Sequence, residues 1–220
     1  MYTRLLSLAS LALVFCLSSA SAVKADEIAV WNFNDGNLIV DRGAGTLTTT
    51  ANPANILFLD GTTFTVSDAS MSDPAGLALA IQGGANLQNN GTILELHVNT
   101  AGYENVAVEW AWQRTDTGFN DDVIQESMDG TTFTGFSFAA IQTNFFGGVH
   151  ISGAGSLFNN NPFFAVRITL SGATSETGNI RFDNIVVRGT KVVPEPATML
   201  LLGGGLAGVA AEVRRRRRSG

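Results

Sequence analysis

Few side chains in this chain could do covalent chemistry, and their spacing limits what they could do. Among 220 residues there is one cysteine, Cys16, and there are two histidines, His97 and His150, far apart in sequence. No His-Glu-x-x-His pair offers a zinc site and no Gly-x-Ser-x-Gly turn offers an activated serine. Gly153-Ala154-Gly155 lacks the third glycine of a dinucleotide loop. Glu109 and Glu126 could be nominated as the two carboxylates of a glycoside hydrolase, yet nothing marks them out in so acidic a chain. No catalytic residue is assigned, and a non-enzymatic role is expected.

Sugar binding asks less of a sequence: aromatic faces for the C–H surfaces, and a few placed polar groups for the hydroxyls. Trp31, Trp110, Trp112, Phe145 and Phe146 are the aromatic candidates, and residues 115–122 supply polar groups in a loop. Trp110 and Trp112 share a face with Val106 and Val108, the spacing of residues that pack in a core. Phe145 and Phe146, beside Gly147 and Gly148, are the better exposed pair and carry the carbohydrate expectation.

The elements that must position these groups read as strands. Short apolar stretches, frequent Gly and Asn, and almost no helical periodicity indicate an all-β fold. Residues 105–113 alternate with period two, as do 163–170. In 179–188 the apolar phase shifts from Ile180 and Phe182 to Ile185 and Val187, which calls for a β-bulge near Asp183-Asn184. Further strands are expected at 27–33, 45–50, 62–66, 75–82, 92–97, 123–127 and 132–138, with Asp129-Gly130 as a hairpin turn. Nine or ten strands in residues 26–190 make a β-sandwich, most simply a jelly roll.

The stretch 127–133, the Val166-Arg167-Ile168 strand and the closing Arg181-Phe182-Asp183-Asn184-Ile185 resemble galactose-binding-like and carbohydrate-binding jelly rolls. That resemblance implies a structural calcium ion tying the first and last strands. Such an ion takes six to eight oxygen ligands. Asp183, at the expected bulge, could meet Glu27, and Asp121-Asp122 could form a separate loop site.

The two ends read differently from the middle. Residues 1–25 carry Arg4, an apolar run over 5–17 and a small-residue stretch, the order of a secretory signal peptide, with cleavage after Ala25 preferred to Ala22. Cys16 lies inside that run behind Phe15, which argues against a lipoprotein, so the mature domain has no cysteine and no disulfide. From Asp26 to Pro196 there are 18 acidic and six basic residues, a charge of −12 hidden within the overall −6. Nucleic acid is therefore excluded as a partner.

At the C-terminus Val193, Pro194, Glu195 and Pro196 precede an apolar stretch at 197–213, then Arg214, Arg215, Arg216, Arg217 and Arg218. The prolines keep the first piece extended. The apolar piece, as a helix of about 25 Å, is a short transmembrane span. The arginines stop transfer and hold the terminus in the cytoplasm. This three-part tail, residues 191–220, resembles the PEP-CTERM sorting signal. The resemblance implies an exosortase partner, cleavage near the Pro-Glu-Pro, a transient stay in the inner membrane, and a destination at the cell surface or in the exopolysaccharide matrix. Polysaccharide binding is the expected activity there; a matrix scaffold or adhesin, or a secreted polysaccharide hydrolase, are the alternatives.

Overall fold

The computed structural model describes residues 25–63, 74–139, 147–152 and 158–192, with positions 203, 205–206, 209 and 214–217 of the tail. The expectations for the signal peptide, for Phe145 and Phe146, and for Val193 to Pro196 lie outside the described residues. Two compact units divide the chain, Met1–Thr190 and Lys191–Gly220.

Among the described residues the first unit is all β apart from two short 3-10 turns, and it forms the expected jelly-roll sandwich. One antiparallel sheet holds β1 (Asp26–Trp31), β2 (Arg42–Gly43), β4 (Ile56–Asp60), β5 (Leu77–Gln82), β7 (Tyr103–Arg114), β10 (Gly147–Ser152) and β12 (Asn179–Lys191). The other runs in the order β3 (Thr46–Thr49), β6 (Thr92–Val98), β11 (Phe164–Leu170), β8 (Asp121–Ser127) and β9 (Thr134–Ala139). The chain crosses from sheet to sheet repeatedly, and the last strand, β12, lies beside the first.

Period-two patterning explains which face each strand buries. Val106, Val108, Trp110 and Trp112 of β7 face Leu94, Leu96 and Val98 of β6 and Phe164, Val166, Ile168 and Leu170 of β11 across one core. Aromatic rings fill its middle. Trp110 and Trp112 meet edge to face at 5.9 Å, and Phe158 lies 4.5 Å from Phe164. With no disulfide available, this packing holds the domain.

The phase change expected in the last strand is present. Residues 179–182 of β12 pair with β5, and 185–189 pair with β1. Between them Asn184 takes φ 50°, so Ile180, Phe182, Ile185 and Val187 all reach the same core. The Asn184 N–H donates to Asp183 Oδ1 (2.8 Å). An asparagine suits this spot because its short amide tolerates the left-handed region.

The second unit is described at few positions. Gly203, Gly205, Leu206, Val209 and Arg214 to Arg217 are helical. Among the described residues no helix is long and apolar enough to cross a membrane.

Candidate functional site on the five-stranded sheet

Alternation leaves one face of the five-stranded sheet turned away from the core, and that face is polar. On β6 the outward positions are Ile93, Glu95 and His97; on β11 they are Ala165, Arg167 and Thr169. Antiparallel register then aligns a row across all five strands: Thr48, Glu95, Arg167, Gln125 and Gly135. The adjacent row holds Thr46, His97, Ala165 and Ser127.

Glu95 is the hub. Its Oε2 accepts from Arg167 Nε at 2.6 Å, and its Oε1 accepts from His97 Nε2 at 2.6 Å. Burial would raise its carboxyl pKa, but the hydrogen bonds and charges of His97 and Arg167 outweigh burial and hold it below the ordinary value. The Arg167 guanidinium lies over the Phe133 ring, 3.7 Å from its centroid.

At the end of this face is a groove of about 490 Å³, lined among others by Gly45, Thr46, His97, Asn99, Asp129, Gly130 and Phe163. Phe163 is 63% exposed, which is unusual for so large an apolar side chain. The groove wall is built by the expected hairpin turn. Asp129 Oδ1 accepts from the N–H groups of Thr132 and Thr131 at 2.6 and 2.8 Å and from Ser127 Oγ at 3.0 Å. Those backbone hydrogen bonds hold the Asp129 carboxyl well below its usual range. Gly130 follows with φ 73°, and a side chain there would come within 3.7 Å of the His97 ring.

Other residues singled out from the sequence fall elsewhere. Trp31, Trp110 and Trp112 are 0, 1 and 4% exposed, so none is a sugar platform; they are core. Glu27 and Asp183 are not brought together. Glu27 pairs in register with Arg188, five positions along β12 from Asp183, and its carboxylate accepts from Arg42 Nε at 2.9 Å. Asp183 is buried and accepts from the Thr62 N–H at 2.7 Å. Among the described residues no cluster of three or more acidic, histidine or cysteine side chains could hold a metal.

Asp121 is exposed at the start of β8, whereas Asp122 beside it is buried. Burial pushes the Asp122 carboxyl up to about 7, against one hydrogen bond from the Ser171 N–H. Glu109 and Glu126 lie on different sheets, and Glu109 faces Arg188 with 3.8 Å between Oε2 and Nε. They do not form a carboxylate pair. His150 stands opposite Glu109 in the β10–β7 register.

Sequence reasoning passed over Glu95, Arg167, Phe133 and Phe163. The signal was the period-two alternation in 92–98 and 163–170, which points Glu95, His97 and Arg167 outward. What it lacked was the pairing of β6 with β11.

Residues 192–218 match the model of the PEP-CTERM protein-sorting motif. No curated protein matches the chain in sequence. Among solved structures, a CBM61 module in complex with β-1,4-galactotriose is 9% identical with a TM-score of 0.44, over 71% of this chain and 92% of that one. The K3 cleaved adhesin domain of Lys-gingipain from Porphyromonas gingivalis is 11% identical with a TM-score of 0.47, over 75% of this chain and 99% of that one. The CBM22-1 xylan-binding domain of Paenibacillus barcinonensis Xyn10C is 10% identical with a TM-score of 0.45, over 79% and 100%.

Proposed function

We propose that this is an exported surface or matrix protein that binds polysaccharide through the outer face of its five-stranded sheet. A signal peptide cleaved after Ala25 starts export. The span at 197–213 and the arginines Arg214 to Arg218 hold the chain in the inner membrane. An exosortase then cuts near Pro194, Glu195 and Pro196, and the domain goes to the cell surface or its polysaccharide matrix. The sorting motif at 192–218 supports this route.

The observation that carries the binding reading is the Glu95 array. One sheet face holds a carboxylate hydrogen-bonded to both an imidazole and a guanidinium, with the Phe133 ring stacked on the arginine and exposed Phe163 beside the adjoining groove. Sugars are recognised by such a mixture of flat apolar surface and oriented donors and acceptors. Glu109 and Glu126, the carboxylates nominated for hydrolysis, lie on different sheets, which favours binding over cleavage by that pair.

The reading is tested by affinity electrophoresis of the purified protein through gels containing polysaccharide, comparing wild type with Phe163→Ala and with Arg167→Ala. Retardation of the wild type that both substitutions weaken supports it. Retardation unchanged by both moves the site away from this face, and Phe145→Ala with Phe146→Ala then tests the other aromatic pair. Intact mass from hosts with and without the exosortase tests processing: a full-length tail in both would make residues 197–213 a plain anchor.

A further inference from the structure

We infer that the site selects uncharged polysaccharide chains and rejects uronate-bearing or sulfated ones; this rests on the reading of the sheet face as a polysaccharide site. Arg167 is the sole lysine or arginine in the strands of the five-stranded sheet. Its charge is already met by Glu95 at 2.6 Å, and one flat side of its guanidinium is covered by Phe133. His97 leans on the same carboxylate, so Glu95 compensates both groups that could attract an anion.

The groove next to this array adds negative charge. Asp129 is held ionised by the backbone N–H groups of its own turn. Over the sequence as a whole, residues from Asp26 to Pro196 carry 18 acidic against six basic side chains. A polyuronate laid across β6, β11 and β8 would approach through a negative field and find no uncompensated cation to replace its water. A neutral chain meets no such penalty. Its hydroxyls find donors and acceptors in Thr46, Thr48, Gln125 and the outer edge of His97, and its C–H faces find Phe163.

The test uses purified wild type and Glu95→Gln, run at low salt through gels containing a neutral glucan, a neutral xylan or a polyuronate. Wild type should be retarded by a neutral polymer and not by the polyuronate. Glu95→Gln leaves Arg167 without its counter-charge and should gain retention on the polyuronate of roughly tenfold, the scale of one unmasked charge at a partly exposed site. Added salt should remove that gain. Matching thermal melts of the two proteins exclude misfolding as the cause. Wild-type retention by the polyuronate, or no gain in Glu95→Gln, overturns the selectivity while leaving the binding reading intact. Retention of wild type by none of the polymers overturns the binding reading itself, and the selectivity with it.

Discussion

Replacing Asp122 by Asn should make the sandwich more stable at high pH and leave it unchanged in acid. Asp122 is 2% exposed, at the start of β8. Burial is the main cause that lifts its carboxyl from 3.8 to about 7; neighbouring Asp121 adds to the rise, while the Ser171 N–H and Arg114 oppose it. Below pH 3.8 the folded and unfolded chains both hold this proton, and its burial has no pH-dependent cost. As pH climbs from there toward 7, the unfolded chain releases the proton first. Stability then falls by up to ~1.4 kcal/mol per pH unit, a total of about 4 kcal/mol above pH 7 over the rise described.

Asparagine keeps the shape, can still accept from the Ser171 N–H at 3.3 Å, and cannot ionise. Urea unfolding followed by the fluorescence of the buried Trp31, Trp110 and Trp112 reads the effect. At pH 8 the variant should exceed wild type by about 2–4 kcal/mol, and at about pH 3 the two should coincide. Burial also raises Glu126, but that group is common to both proteins and cancels in the comparison. An equal gain at both pH values would show that packing, not ionisation, is responsible. No gain at pH 8 would refute the argument that this carboxyl is desolvated.

Three further outcomes follow from the packing and the turns. Trp110→Ala empties the centre of the core and should cost about 3–5 kcal/mol in chemical denaturation. Asn184→Ala removes the hydrogen bond from Nδ2 to the Thr62 carbonyl and leaves at φ 50° a residue that tolerates the left-handed region less well than asparagine; a loss of about 1–3 kcal/mol is expected, with Asn184→Gly recovering the dihedral part. Asp129 is held below its ordinary value by hydrogen bonds from the backbone N–H groups of Thr132 and Thr131. Its contribution to the turn is therefore present above the ordinary carboxylate range and lost as pH falls through and below it. An acid titration of wild type should show that loss, and Asp129→Asn should not.

The fold could be read from the sequence wherever one strand face meets solvent and the other meets core. Residues 105–113, 163–170 and 92–97 alternate cleanly, and β7, β11 and β6 occupy them. The break of phase in 179–188 also carried its meaning, because only a local irregularity lets Phe182 and Ile185 share one core. Strand β4 escaped notice: Ile56, Leu57, Phe58 and Leu59 are an unbroken apolar run with no period to read, and the strand expected at 62–66 is not formed at Thr62 and Thr63.

The site was harder to foresee, since Glu95 and Arg167 stand far apart in the chain and meet only because β6 and β11 pair in the register that sets one opposite the other. The tryptophans were legible from the same alternation. Tryptophans at strand spacing say that a face is apolar, and in a two-sheet fold the apolar face is the buried one. The exposed Phe163 sits just before β11, on the outward phase of the 163–170 alternation.

Strand β12 gives the order in which this protein must be made. It lies between β7 on one side and both β1 and β5 on the other, so the larger sheet has no centre until Asn179 to Lys191 has arrived. Contacts between the first and last strands span nearly the whole domain, the arrangement that folds slowly because long loops must close before any reward is gained. A chain made from its N-terminus has nearly all of its strands in hand before this sheet can close. The residues that complete the sheet end at Lys191, and the sorting motif begins at Val192. The strand that lets the domain close and the sorting motif are thus made in immediate succession.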